Sequence, residues 1–127
     1  MSATLLSGKR CLVLDDEILI ALDIQQTLES AGATHVTCVA TATEALSLLR
    51  NETVFDLAVL DVKLSGQDRN SLGVAAVLTA KSTPFVFLTG MRVDDVHAGQ
   101  FPHAPVVEKP YDTTTLLDAV RRALDLV

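Results

Sequence analysis

The chain has 127 residues, of which 49% are hydrophobic and 20% are charged, and its formal net charge is −6. This length and composition are typical of one globular domain rather than a disordered segment, so residues 1–127 are expected to form a single domain. The scattered Lys and Arg residues form no basic patch for nucleic acid. No apolar run is long enough to span a membrane, and no signal peptide is evident. The sequence therefore predicts a cytoplasmic protein that binds neither nucleic acid nor membrane.

Five short apolar runs alternate with helical patterns along the chain. The predicted strands cover residues 10–14, 35–39, 55–61, 84–88 and 104–108. The third run, Leu57–Leu60, is apolar without alternation, which favours a strand buried on both faces, although a buried helix segment shows the same pattern. Strands that alternate with helices favour parallel pairing through right-handed crossovers. The predicted fold is a five-stranded, doubly wound α/β sheet.

The helical patterns have recognisable starts. Thr41 and Glu44 have the spacing of a capping box at the start of the second helix. Ser71 is a candidate N-cap for the third helix, Asp112 is one for the last, and residues 91–101 give at most a short helix between them. The predicted buried face of the first helix consists of Ile18, Ala21, Leu22, Gln25 and Leu28. Two cysteines, Cys11 and Cys38, lie in apolar runs and are predicted to be buried free thiols.

Polar residues follow four of the five predicted strands. Asp15 and Asp16 follow the first, Asp61 ends the third, Thr89 follows the fourth and Lys109 follows the fifth. In a parallel sheet these positions share one edge, which is where open α/β sheets bind ligands. Converging carboxylates repel one another unless a cation joins them, and Mg²⁺ prefers such oxygen ligands. With a hydroxyl and an ammonium group nearby, the set suits a phosphoryl group, and a carboxylate can attack phosphorus.

Each of these residues also has an ordinary structural explanation. The acidic pair suits a solvated helix start, a threonine suits a turn, and a lysine suits an exposed surface. Their joint occurrence at the ends of four strands favours a functional site. The three histidines share no spacing typical of a metal site.

The four motifs resemble those of the receiver domain of two-component response regulators, a CheY-like fold, over the whole chain. They are Asp15-Asp16, Asp61, Thr89-Gly90 and Lys109-Pro110. The resemblance implies that a histidine kinase or a phosphotransfer protein phosphorylates Asp61. It also implies that Thr89 and Lys109 bind phosphoryl oxygens, and that the Lys109–Pro110 bond is cis. The implied Mg²⁺ ligands are Asp16, Asp61, the backbone carbonyl of Lys63 and, through water, Asp15.

The same resemblance implies signalling and not metabolic turnover. The phosphorylated domain would contact an unknown output protein through the region Met91–Val127, or it would serve as a phosphate sink. Self-phosphorylation from small acyl phosphates and self-dephosphorylation are compatible with that role. The run from Pro84 to Gly90 resembles the Phe-x-Thr-Gly variant receivers of alphaproteobacteria, which occur as stand-alone proteins, in stress-response regulators and at the ends of hybrid kinases.

Several positions depart from the family pattern. Val106 stands where receivers usually carry an aromatic switch residue, and Tyr111 is not at the matching position. Ser65 replaces a usual proline, and Lys63 places an unusual charge beside the phosphoryl site. A phosphorylation-independent binding module therefore stays open as an alternative function. A Mg²⁺-dependent phosphohydrolase with Asp61 as nucleophile is a second alternative, although Lys63 stands where that class of enzyme needs a second acid. A fragment of a hybrid kinase is a further alternative.

Overall fold

The computed structural model describes residues 4–51, 53–62, 71–90, 101 and 103–125. Its strands are β1 (Arg10–Leu14), β2 (His35–Val39), β3 (Leu57–Asp61), β4 (Phe85–Thr89) and β5 (Val106–Glu108). Its helices are α1 (Ile18–Ser30), α2 (Ala42–Arg50), α3 (Leu72–Ala80) and α4 (Thr113–Asp125). All five predicted strands are present, and β3, β4 and β5 begin slightly later than predicted. Residues 91–100, where the sequence predicts a short helix, lie outside the described residues.

The strands form one parallel sheet in the order β2-β1-β3-β4-β5. The neighbouring strands β1 and β3 are in register from Cys11 opposite Leu57 to Leu14 opposite Leu60. β3 lies at the centre, and all five of its residues are buried, as an uninterrupted apolar run requires. The order reverses direction at β1 and β3, which creates a crevice at their carboxyl ends. The predicted doubly wound α/β fold is confirmed.

Two apolar layers cover the two faces of the sheet. One layer joins α1 and α4 to the sheet through buried residues such as Ile24 and Leu116. The other joins α2 and α3 to the opposite face through residues such as Leu49 and Leu78. Successive strand residues point to opposite faces, so β4 sends Phe87 to the second layer and Leu88 to the first. Within the described residues, no helix has the length and apolar character needed to cross a membrane.

The predicted buried face of α1 is partly wrong. Its buried residues are Ala21, Ile24, Thr27 and Leu28. Ile18 is 73% exposed and Leu22 is 46% exposed, and Gln25 is only half-buried. The apolar residues of α1 form two overlapping stripes that both satisfy helical spacing. The sheet covers the stripe through Ile24, and the other stripe faces outward.

The predicted helix starts have different outcomes. The backbone N–H of Glu44 donates to the Thr41 hydroxyl at 3.1 Å, so that N-cap is confirmed. The backbone N–H of Thr115 donates to Asp112 Oδ1 at 2.7 Å, which confirms the cap of the last helix. Ser71 directly precedes α3, but its side chain makes no capping hydrogen bond. Among the described residues, its buried hydroxyl has no hydrogen-bond partner. Ser71 therefore stands at the predicted N-cap position of α3, although its hydroxyl does not cap the helix.

The two cysteines differ in burial. Both are free thiols; Cys11 is buried, whereas Cys38 is only half-buried. The prediction that both are buried is therefore wrong for Cys38. It lies on β2, an edge strand whose residues are at most partly covered. The Cys38 thiol lies 3.5 Å from Gln25 Oε1 on the neighbouring helix.

Candidate functional site

The carboxyl ends of four strands meet at one edge of the sheet, and main-chain hydrogen bonds hold them in place. The Asp15 N–H donates to the Val39 carbonyl at 3.1 Å, which extends the pairing of β1 with β2 by one residue. The Lys109 N–H donates to the Thr89 carbonyl at 2.7 Å, which extends the pairing of β5 with β4. These hydrogen bonds fix the backbone from which the side chains of Asp15 and Lys109 extend.

Lys109 is the centre of the charged contacts at this edge. Its Nζ lies 3.3 Å from Asp15 Oδ2 and 3.4 Å from Asp61 Oδ2. A third carboxylate, that of Glu17, lies 3.5 Å from the same nitrogen. The Asp15 and Asp61 side chains are 0% and 5% exposed, whereas that of Glu17 is 63% exposed. The structure thus brings three of the predicted site residues together and adds Glu17.

Four acids form a compact group of oxygen ligands. One carboxylate oxygen from each of Asp15, Asp16, Glu17 and Asp61 lies within 4.8 Å of the others. Hard divalent cations prefer such oxygens, and Mg²⁺ is usually bound through one or two carboxylates with several waters. The donor set therefore fits Mg²⁺. Lys63, whose backbone carbonyl is a predicted further ligand, lies outside the described residues.

Burial and the surplus of negative charge alter the ionisation of Asp61. Its burial and the carboxylate of Asp15 raise the pKa of Asp61 from 3.8 to about 6, although Lys109 partly opposes this. Burial by itself lowers the pKa of Lys109, but the carboxylates of Asp61, Asp15 and Glu17 outweigh it and raise that pKa above its ordinary value. The ammonium group of Lys109 therefore stays charged, while the Asp61 carboxylate is destabilised until a further cation arrives.

Thr89 ends β4 and is buried. The pairing of β3 with β4 places Asp61 opposite Leu88, and that of β4 with β5 places Thr89 opposite Glu108. Thr89 therefore stands at the same edge of the sheet as Asp61 and Lys109. The Lys109–Pro110 peptide bond that follows is cis, as the resemblance implies.

Two features of this edge were missed by reasoning from the sequence. The first is the contact of Glu17 with Lys109. The feature of the sequence that could have indicated it is that Glu17 is the third consecutive acid after β1. The second is an apolar surface at the start of α1, formed by Ile18, Leu19 and Leu22, which are 73%, 79% and 46% exposed. The feature of the sequence that could have indicated this surface is the second apolar stripe of the helix. The surface directly follows the acidic residues in the chain.

Val106 occupies the strand position of the usual aromatic switch residue and is half-buried. It lies opposite Phe87 in the pairing of β4 with β5. Phe87 belongs to an aromatic cluster with Phe85 and Phe101, in which ring centroids lie 5.3 to 6.0 Å apart in edge-to-face arrangements. Aromatic side chains therefore pack on β4 itself and against Phe101, while the β5 position carries a small aliphatic side chain.

Comparison with known proteins agrees with this geometry. A family model described as the response regulator receiver domain matches residues 11–121. A response regulator receiver protein from Sinorhizobium medicae WSM419 is similar in structure, with a TM-score of 0.83, 28% identity, and coverage of 93% of this chain and 95% of that one. SdrG from Sphingomonas melonis Fr1 shows a TM-score of 0.78 and 35% identity, with coverage of 98% and 99%. No curated protein matches the chain in sequence.

A more distant similarity extends to a larger protein. The response regulator PhyR from Brucella abortus shows a TM-score of 0.75 and 23% identity. The alignment covers 98% of this chain and 52% of PhyR, so this chain spans about half of that protein. At this level of identity the match shows a shared fold.

Proposed function

Since this chain belongs to the response regulator receiver family, we propose that Asp61 accepts a phosphoryl group from a histidine kinase or a histidine phosphotransfer protein in the presence of Mg²⁺. An oxygen of the Asp61 carboxylate attacks phosphorus. The O–P bond forms as the P–N bond of phosphohistidine breaks, and the electron pair of that bond leaves with the imidazole. The product is an aspartyl phosphate.

The observation that carries this proposal is the charge imbalance around Asp61. Among the described residues of this edge, the ammonium group of Lys109 contacts three carboxylates, and a fourth acid, Asp16, stands beside them. An ion pair that only stabilises a fold is expected to have balanced charges and satisfied hydrogen bonds. The surplus of acids instead favours a site that is completed by a divalent cation and is prepared for chemistry at Asp61.

Each residue of the site then has a defined role. Lys109, held by Asp15 and by the end of β5, pairs with a phosphoryl oxygen and offsets its charge. Thr89 donates its hydroxyl to a second oxygen. Asp16 and Asp61, with the backbone carbonyl of Lys63 and with Asp15 through water, hold Mg²⁺. When bound, this cation neutralises charge that develops on the phosphoryl oxygens.

The apolar surface of α1 supports contact with a protein phosphodonor. Ile18, Leu19 and Leu22 are exposed beside the acidic edge, and exposed apolar patches with polar surroundings are typical of protein interfaces. A phosphodonor protein can cover this surface while its phosphohistidine reaches Asp61. Output follows from a phosphorylation-dependent shift in conformer populations, read by a partner at the region Met91–Val127, or the domain drains phosphoryl groups from a kinase.

Intact mass spectrometry after incubation with acetyl phosphate tests the acceptor role. The wild type is expected to gain one phosphoryl group in a Mg²⁺-dependent manner, and Asp61→Asn is expected to gain none. Equal phosphorylation of the two proteins would refute the assignment of Asp61. Transfer from candidate phosphorylated kinases, with Leu19→Glu as a docking variant, tests the donor surface. The Leu19→Glu variant should lose transfer from the protein donor while it keeps the reaction with acetyl phosphate.

One observation favours a second function, a phosphorylation-independent binding module. The small side chain of Val106 beside Phe87 lacks the aromatic ring through which receivers usually couple the site to their output surface. Partner binding that is equally strong for the unphosphorylated wild type, the phosphorylated wild type and Asp61→Asn would favour this module. Binding that strengthens or weakens on phosphorylation favours the receiver function.

A further inference from the structure

Glu17 is an unassigned member of the charged group around Lys109. Its Oε1 lies 3.5 Å from Lys109 Nζ, almost as close as the oxygens of Asp15 and Asp61 at 3.3 and 3.4 Å. The contact joins the residue before α1 to the residue after β5, which are 92 positions apart in the chain. It therefore depends on the tertiary fold.

The backbone of Glu17 is held in place, although its side chain is mostly exposed. The Glu17 N–H donates to Asp15 Oδ1 at 2.9 Å, while the other oxygen of Asp15 contacts Lys109. Glu17 is the N-cap residue of α1, but its side chain makes no capping hydrogen bond. A carboxylate at a helix N-terminus is well placed to bind the free N–H groups there. In this structure the Glu17 carboxylate contacts Lys109 instead.

We propose that Glu17 is a positioning residue that competes with the phosphoryl group for Lys109 and so weakens the phosphorylated state. This inference rests on the proposed function of Asp61 as the phosphoacceptor. An aspartyl phosphate brings nearly two negative charges and three strong acceptor oxygens to the position of the Asp61 carboxylate. Lys109 has three N–H donors; the buried Asp15 retains one, and the phosphoryl oxygens compete with Glu17 for the other two. The exposed carboxylate of Glu17 is the partner that Lys109 gives up.

The size of the effect follows from the exposure of Glu17. Ion pairs with an exposed partner are weak, so removal of this competitor should tighten phosphoryl-group binding by about two- to fivefold. Glu17 is also one of the four acids whose oxygens lie within 4.8 Å of one another, which defines an alternative role at a cation. If Glu17 instead supports the divalent cation, its removal should weaken Mg²⁺ binding by roughly tenfold or more. The two roles therefore predict changes in different constants.

The test uses beryllofluoride, a stable mimic of the phosphoryl group on aspartate. Its dissociation constant is measured at saturating Mg²⁺ by NMR titration for the wild type, Glu17→Gln, Glu17→Asp and Glu29→Gln. Glu17→Gln keeps the size of the side chain and removes its charge. Glu17→Asp keeps the charge but shortens the reach to Lys109. Glu29→Gln, at the exposed far end of α1, removes the same charge from the same helix. Mg²⁺ affinity is measured separately for each protein.

The proposal predicts that Glu17→Gln binds beryllofluoride two- to fivefold more tightly, that Glu17→Asp behaves like Glu17→Gln, and that Glu29→Gln matches the wild type. If Glu17→Gln binds beryllofluoride with unchanged affinity, the role of Glu17 is overturned, but the proposed function of Asp61 is not. A Glu17→Asp variant that matches the wild type, or a roughly tenfold loss of Mg²⁺ affinity in Glu17→Gln, would overturn the same role. Failure of the wild type to bind beryllofluoride would overturn the proposed function and this inference with it.

Discussion

Replacement of Asp61 by Asn is expected to stabilise the protein when no divalent cation is present. Burial and the neighbouring Asp15 raise the pKa of Asp61 from 3.8 to about 6, so the folded state binds a proton more tightly than the unfolded state. The contribution of this group to stability is therefore greatest below about pH 4 and is lost as the pH rises through about 6. The difference between the two pKa values corresponds to about 3 kcal/mol at about pH 7.5. The neutral Asn side chain avoids this cost.

Urea denaturation in EDTA measures the effect. At about pH 7.5, Asp61→Asn should unfold with a free energy about 2 to 3 kcal/mol above that of the wild type, and at about pH 5 the gap should shrink to roughly half. Glu29→Gln, which neutralises an exposed acid on α1, should leave stability within about 0.5 kcal/mol. Added Mg²⁺ should narrow the gap, because a ligand of the folded state stabilises the protein that binds it. A variant no more stable than the wild type, or a gap independent of pH, would refute the reasoning.

Three further outcomes are expected. Lys109→Met leaves two buried carboxylates without their cation and should lower the unfolding free energy in EDTA by about 3 kcal/mol or more; a change below 1 kcal/mol would show that the contacts are weak. Thr41→Ala removes the hydroxyl that caps α2 and should cost about 1 kcal/mol in the same assay, whereas Thr41→Ser should cost much less. Burial raises the pKa of Cys11 to about 12, so a thiol reagent should modify the half-buried Cys38 before Cys11 in the native protein. Mass spectrometry of the digested protein measures the two modification rates, and equal rates would contradict the difference in burial.

The strands, and most of the charged residues at the carboxyl edge of the sheet, could be predicted from the sequence for a physical reason. In a parallel sheet every strand ends at the same edge, so Asp61 and Lys109 could be placed near each other from their positions after buried runs. The contacts of their side chains could not be obtained in this way. Whether Lys109 reaches Asp15, Asp61 or Glu17 depends on rotamers and on the distance between strand ends.

The buried face of α1 shows a different limit. Two apolar stripes on this helix satisfy the same spacing, one through Ile24 and one through Ile18 and Leu22. Periodicity alone cannot choose between them, because the choice depends on how the helix is rotated on the sheet. Ser71 shows a third limit, since a residue type that often caps helices still needs the correct backbone geometry, and at φ −99° and ψ 11° its backbone is not extended.

The charge balance at the edge of the sheet links stability to function. In the absence of a ligand, the buried carboxylates repel each other and Lys109 is shared among Asp15, Glu17 and Asp61. A divalent cation would relieve the repulsion, whereas a phosphoryl group on Asp61, as proposed above, would draw Lys109 away from Glu17. Because Lys109 also connects the start of α1 with the end of β5, this shift changes a contact between two elements that are distant in sequence. Under the proposed function, phosphorylation of Asp61 would make the energy stored in the unliganded site available to alter the contact between α1 and the end of β5.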